Sequence, residues 1–379
     1  MAALQRRDVG ACFQRGLTGL GAPETFGTPM LNVPRPRPIK IHVLPYTPGL
    51  PLLPIVSALG VGGGLVSRTT ADRRIYGPLA DAADSELLIA QDASNADLLL
   101  HPHDALEHSA VANAASRVAS TLRRPTIFLS VSDCVTPSTL PWGVLWRTSA
   151  YRSKLKAHER VATGDVPDLK AEMSAVHVDV LPWQARPTIG FIGHVTSGLK
   201  SFAYLRKGWQ NYHGFTLRER VLRAFEASTA IETRFTRRGT NLGPPMANID
   251  IDTDRKIKRV EYVDSVFGCD YALCVRGAGN WSFRFFEALS AGRIPVLIDT
   301  DSVLPLSGEV DWERHVCRIP IARIVEGPQI VADFHRKLGP EGFKAIQRAN
   351  RELWCARLAP RAFYLRALRE LVEESTGSR

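Results

Sequence analysis

A chain of 379 residues with 45% hydrophobic and 23% charged residues has the composition of a folded protein, and it is long enough for two domains. A formal charge of +10 points to an anionic partner: a sugar nucleotide, an acidic glycan, a membrane surface or nucleic acid. No run reaches the ~20 apolar residues of a membrane span, and the N-terminus lacks the apolar core of a secretory signal.

Six cysteines (Cys12, Cys134, Cys269, Cys274, Cys317, Cys355) lie scattered without a CxxC pair, which predicts free thiols in a reducing, cytoplasmic setting, with peripheral contact to a membrane left open. The arginine-bearing, acid-poor first forty residues also fit an organellar transit peptide. Residues 1–37 end in a run of Pro and Arg and are predicted to be an irregular lead-in.

From residue 38 the pattern alternates. IKIHVLPY (38–45) predicts a strand, and GVGGG (60–64) a turn. A helix-like stretch over 71–90 leads to ADLLLHPHD (96–104), a buried strand with polar groups at its carboxyl end. A helix over 110–122 and a strand over 124–133, ending in Ser-Asp, complete a parallel α/β first domain, residues 38–182. The prolines of VLPWQARPT (180–188) mark the linker, and TIGFIGHV (188–195) opens a second α/β domain, residues 186–358. It continues with a helix over 215–228, a strand ending near Val275, a helix over 282–291 and the strand IPVLI (294–298). An amphipathic helix over 360–376 closes the chain as a separate C-terminal element, 360–379. The fold class is α/β, with two Rossmann-like domains facing across a cleft and ligands at the carboxyl ends of the strands.

The chemistry concentrates in RGAGNWSFRFFEALSAGRIPV (276–296). Arg276 arrives at a strand end, Gly277 and Gly279 permit close backbone approach, Ser282 suits an N-cap and Gly292 the residue after a helix. A helix N-terminus with a nearby arginine suits a phosphate. Arg284 in the first turn opposes the helix dipole by about 0.3–1 kcal/mol, a broken local rule that suggests function. Taken alone, Arg284 and Glu287 would make an ordinary surface pair.

This segment resembles the signature of the exostosin family of glycosyltransferases, an RGxGxxSxRxxExLxxGxIPV pattern followed by an acidic residue, here Asp299. Weaker likeness extends over about residues 38–358, including FIGHV and the helix position of Arg218. The resemblance implies a GT-B-like fold and inverting transfer of a sugar from a nucleoside diphosphate, in first instance a uridine diphosphate, to a glycan, glycolipid or glycoprotein acceptor. It implies no cofactor beyond the nucleotide-sugar donor. Arg276, Arg284 and the loop amides (Gly277, Gly279, Asn280, Ser282) would hold the diphosphate, Glu287 the ribose, and Arg218 and His194 would complete the donor site. The first domain would supply a general base, for which His103, Asp104 and Asp133 are the candidates, with His101 beside them.

The acidic runs IDIDTD (249–254) and DTD (299–301) offer a metal-binding alternative, which is not expected. Basic clusters at 147–160, 199–207 and 255–259 fit solvated faces, and the first two also fit an anionic acceptor or membrane surface. No recognition helix, zinc spacing or aromatic-basic motif accompanies the charge, so nucleic acid is not an expected partner. A non-catalytic sugar-nucleotide-binding protein and a sugar-nucleotide epimerase of similar fold are the rival readings.

Overall fold

The computed structural model describes residues 37–62, 64, 70–82, 86–195, 213–238 and 253–377. The basic cluster at 199–207, most of IDIDTD, Gly63, Cys12 and all but the last residue of the lead-in lie outside them.

The first half builds one parallel sheet from β1 (Ile39–Val43), β2 (Leu87–Ile89), β3 (Leu98–Asp104), β4 (Thr126–Ser130), β5 (Val144–Arg147) and β6 (Glu159–Val161), in the order β2-β1-β3-β4-β5-β6. Helices α1 (Pro54–Ala58), α2 (Thr70–Ala82) and α3 (Ser109–Leu122) connect the strands. All seven residues of β3 are buried, as an apolar run covered on both faces requires. Pro102 cannot donate to the ladder, and the β3–β4 pairing shifts register between Leu100 and Asp104.

The second half repeats the design. Strands β7 (Thr188–His194), β8 (Glu232–Arg238), β9 (Tyr271–Cys274), β10 (Ile294–Asp299) and β11 (Cys317–Pro320) form a parallel sheet in the order β11-β10-β9-β7-β8. Around it lie α4 (His213–Glu226), α5 (Thr253–Phe267), α6 (Phe283–Ser290) and a long helix α7 (Gly327–Leu353) broken at Gly339, whose φ of 59° is left-handed. In both sheets the chain leaves the first strand toward one side and returns on the other. That reversal falls between β1 and β3 in one sheet and between β7 and β9 in the other, and it opens a crevice at the strand ends. The predicted fold class is therefore what the chain adopts.

Two boundaries differ from the sequence reading. The crossing to the second domain comes earlier than 180–188: Val166 packs with Phe285 and Leu289, the Leu169 amide donates to Ser290 Oγ at 3.0 Å, and Asp168 pairs with Arg351. The apolar character of this stretch is thin, so its prolines stood out more than its anchors. Helix α8 (Pro360–Thr376) is not separate either, because Phe363, Tyr364, Leu368 and Leu371 join Ile41, Leu100 and Trp146 in the core of the first sheet. The five described cysteines are free thiols.

Candidate functional site

The segment 276–296 is framed as its residue types require. Strand β9, fully buried, delivers Arg276 to its carboxyl end, and the loop 277–281 turns the chain into α6. Ser282 occupies the N-cap position with extended backbone (φ −143°, ψ 119°), but its hydroxyl makes no capping bond. Gly292 sits at φ +67°, which favours glycine over any L side chain. At Gly279 a Cβ would lie 2.6 Å from Asp133 Oδ1 and 2.7 Å from Ser149 Oγ, so this glycine lets the loop close against the first domain.

Three arginines converge beside the β7/β9 crevice. Arg218, from α4, donates to the carbonyls of His194 (3.0 Å), Arg276 (3.0 Å) and Val275 (3.3 Å). Arg284, from α6, donates to the carbonyls of Leu273 (3.3 Å) and Ile192, and its guanidinium lies 4.3 Å above the Phe191 ring. Arg276 donates to the Tyr151 hydroxyl (2.6 Å) and the Ala278 carbonyl (3.1 Å), while its buried Nε has no partner among the described residues.

Among the described residues, no carboxylate pairs with Arg218 or Arg284. Burial, joined by repulsion from Arg284, pulls the Arg218 guanidinium down to about 9. Two guanidiniums held on main-chain carbonyls, side by side and without a paired carboxylate among the described residues, form a site of concentrated positive potential. His194 ends β7 beside them, with its ring 4.8 Å from that of Phe215.

Glu287 sits elsewhere in this arrangement. It is 1% exposed; its carboxylate accepts from Arg259 Nη1 at 3.0 Å and from the Tyr262 hydroxyl. Arg259 in turn holds Glu172 through two bonds of 2.9 and 2.8 Å. Burial opposes the charge on Arg259, but Glu172 and Glu287 together hold its guanidinium above the usual arginine range. Glu287 therefore forms a buried ion pair with α5 rather than with Arg284, and both of its oxygens are engaged. Arg259 and Tyr262 escaped the sequence reading, which took 255–259 as a surface cluster. Their helical spacing with Val263, Val266 and Phe267 was the available signal.

The first-domain candidates separate clearly. Asp104 accepts main-chain N–H bonds from Leu106 (3.0 Å), Glu107 (3.0 Å) and Val131 (2.9 Å), so it shapes the turn after β3. His103 is fully buried; the Thr47 amide donates to Nε2 at 2.9 Å, which puts the ring proton on Nδ1 facing the Pro51 carbonyl. His101 is also buried, and burial, with His103 and His108 nearby, pulls it down to about 4. Asp133 alone of these is exposed, and its Oδ1 accepts from Trp281 Nε1 of the second domain at 2.8 Å. Among the described residues no bond reaches its other oxygen.

The same edge joins the domains. The Asn280 main-chain N–H donates to Ser149 Oγ (2.8 Å), its side-chain Nδ2 donates to the Ala150 carbonyl (2.8 Å) and its Oδ1 accepts from the Thr300 hydroxyl (2.6 Å). Asn280 thus secures the loop against the first domain. Asp299 pairs with Arg152 (3.0 Å) and Arg318 (2.9 Å), and Asp301 accepts from the Ser153 amide and hydroxyl. These contacts commit the DTD carboxylates to the interdomain seam. Among the described residues, no group of three or more His, Cys, Asp or Glu side chains is placed to hold a metal ion, and no helix is long and apolar enough to cross a membrane.

Residues 209–334 match the Exostosin GT47 domain. That stretch of the chain is similar to an exostosin glycosyltransferase domain. Its matched range runs from just before α4 into α7 and includes Arg218, Arg259, Arg276, Arg284 and Glu287, whereas the whole first sheet lies outside it. Exostosin-1 of Drosophila melanogaster is 31% identical over 103 residues, and Exostosin-1c of Danio rerio 28% over 103 residues; each stretch is 27% of this chain and 13% of the relative. This chain thus matches only a small part of the length of those exostosins. A crystal structure of the calicheamicin glycosyltransferase CalG4 aligns over 90% of this chain and 99% of its own, at 13% identity and a TM-score of 0.36.

Proposed function

We propose that this chain transfers a sugar from a nucleoside diphosphate, a uridine diphosphate in first instance, to a hydroxyl of a glycan or glycolipid with inversion at the anomeric carbon. The observation that carries the reading is the pair Arg218 and Arg284, two cations without a carboxylate partner among the described residues at the β7/β9 crevice of an exostosin domain. With Arg276 and the first amides of α6 they are suited to a diphosphate, and to the charge that grows on it as it leaves.

In the proposed step Asp133 takes the proton of the acceptor hydroxyl. The acceptor oxygen forms its bond to the anomeric carbon from the face opposite the diphosphate. The bond from that carbon to the phosphate oxygen breaks, and its electron pair leaves on the nucleoside diphosphate, held by the three arginines. Asp133 suits the role because it is exposed at the seam, one of its oxygens is oriented by Trp281, and Asp104 and His103 are occupied by main-chain groups.

The test is a thermal-shift titration with uridine and guanosine diphosphates on wild type and Arg218→Met, followed by product analysis with labelled donor sugars. Ligand at ~100 times its dissociation constant stabilises by ~2.7 kcal/mol. A shift with one nucleotide that disappears in Arg218→Met is expected. A folded wild type that responds to neither nucleotide overturns the reading.

A further inference from the structure

Besides the crevice, the first domain holds a cavity of about 290 Å³ at the carboxyl ends of β3 and β4. Its wall includes Ser109 and Asn113 of α3 and Thr136, Ser138 and Thr139 of the loop that follows Asp133, with Leu140 among the apolar surfaces. None of the described residues that line it is charged. Its volume falls at the small end of the ~300–1,000 Å³ found for small-molecule sites. Asn113 gives its amide N–H to Thr139 Oγ1 at 2.9 Å, which leaves its buried Oδ1 without a partner among the described residues. That oxygen is an acceptor waiting for a donor, and a hydroxyl is one.

The loop that closes this cavity is fixed at unusual expense. Arg147 and Glu159, both 2% exposed or less in their side chains, pair at 3.1 Å inside the domain. Arg147 also donates to the carbonyls of Thr136 (3.0 Å) and Cys134 (2.8 Å), and Glu159 accepts the Ser138 amide at 2.7 Å. Lys156 donates to the Ser138 carbonyl at 2.6 Å. A buried ion pair is commonly no better for stability than packed apolar side chains, so it is weak evidence of a stabilising role. Here it fixes the main chain of 134–138, and Arg147 Nε extends the hold to the Ser149 carbonyl (2.7 Å), whose residue anchors Asn280. One cation thus sets the cavity wall and the docking loop of the donor domain in a common frame.

We propose that this cavity binds an uncharged, hydroxyl-rich sugar ring, the terminal residue of the acceptor, and presents its reacting hydroxyl to Asp133, the residue before the cavity loop. The inference rests on the transferase reading for its consequence but not for its binding test. An uncharged wall of hydroxyl and amide groups beside leucine and proline suits the alternating polar and apolar faces of a pyranose, and offers no cation to a carboxylated or sulfated one.

The experiment is saturation-transfer NMR on the full chain with neutral methyl pyranosides and, in parallel, methyl hexuronides. At least one neutral glycoside is expected to bind, with the hexuronides weaker. Ser109→Trp, which fills the cavity, and the milder Asn113→Ala are each expected to weaken that binding at least tenfold. The thermal shift given by uridine diphosphate checks that each variant is folded and reports separately on the donor site. Binding that survives both substitutions, hexuronides that bind as well as neutral sugars, or no neutral glycoside bound at all would each overturn the assignment. Nucleotide binding that fails while glycoside binding holds would instead count against the transferase reading alone.

Discussion

Asp165 lies where the chain crosses between domains, 5% exposed, against the tyrosines that α2 and α8 contribute to the first core. The Tyr364 hydroxyl donates to it at 3.4 Å, and the Tyr76 ring stacks on that of Tyr364 with centroids 6.3 Å apart. Burial pushes its carboxyl from 3.8 up to about 6, against the pull of the tyrosine hydroxyls and with some help from Asp72 and Asp104. Between about pH 4 and pH 6 the folded chain keeps a proton that the unfolded chain has released. Stability from this group is therefore fully present below about pH 4 and is lost as pH rises through 6. The displacement corresponds to about 3 kcal/mol at neutral pH. Asp165→Asn keeps an acceptor for Tyr364 and cannot ionise. Relative to wild type it should gain about 3 kcal/mol between about pH 4 and pH 7.5, or roughly 6–12 °C of melting temperature for a domain of this size. Differential scanning fluorimetry of both proteins across that range measures the change directly. A difference between variant and wild type that is constant with pH would refute the argument.

Other consequences follow from the seam and the arginine cluster. Asp133→Asn should lower turnover by at least about 10²-fold while leaving the nucleotide thermal shift intact, whereas Arg218→Met should abolish the shift; steady-state kinetics with titrated donor separate the two. Glu287→Ala strands Arg259 in the interior, a loss of up to about 3–5 kcal/mol that Glu172 reduces; the double variant Glu287→Leu with Arg259→Met should recover part of it in urea unfolding. Alanine at Gly214 of α4 and at the loop glycines Gly277 and Gly279 should rank by clearance. A Cβ at Gly214 would collide with the Gly277 carbonyl and one at Gly279 would meet Asp133 at 2.6 Å, but one at Gly277 finds nothing nearer than 3.4 Å. Melting temperatures should fall most for Gly214→Ala and least for Gly277→Ala.

Much of this could be read from the sequence where local pattern and tertiary role coincide. The run of β3, the sequence from β9 to β10 around the glycines, and α8 all announce themselves through periodicity or punctuation. Strands β6 and β11 have three and four residues, and β8 has no fully buried residue and four charged residues in seven, so none carries a strand signal. Helix α5 hides its buried face among lysines and arginines, and with it went the true partner of Glu287. Spacing on one helix suggested Arg284, three residues away, whereas the bond comes from Arg259 on another element. The base candidates illustrate a related limit. Asp104 and Asp133 both follow buried strands, and only the fold shows that one closes a turn while the other faces the opposite domain.

The return of α8 to the first sheet has a consequence for how the chain is made. Ile41, Leu100 and Trp146 are translated well before the side chains that cover them, Phe363 to Leu371. The first domain must wait, with part of its apolar surface open, until α8 has been made. The second domain draws its cores from residues up to Leu358, all of them made before α8. Part of the half made first thus stays open to non-native contacts until the segment beyond the second sheet has been made.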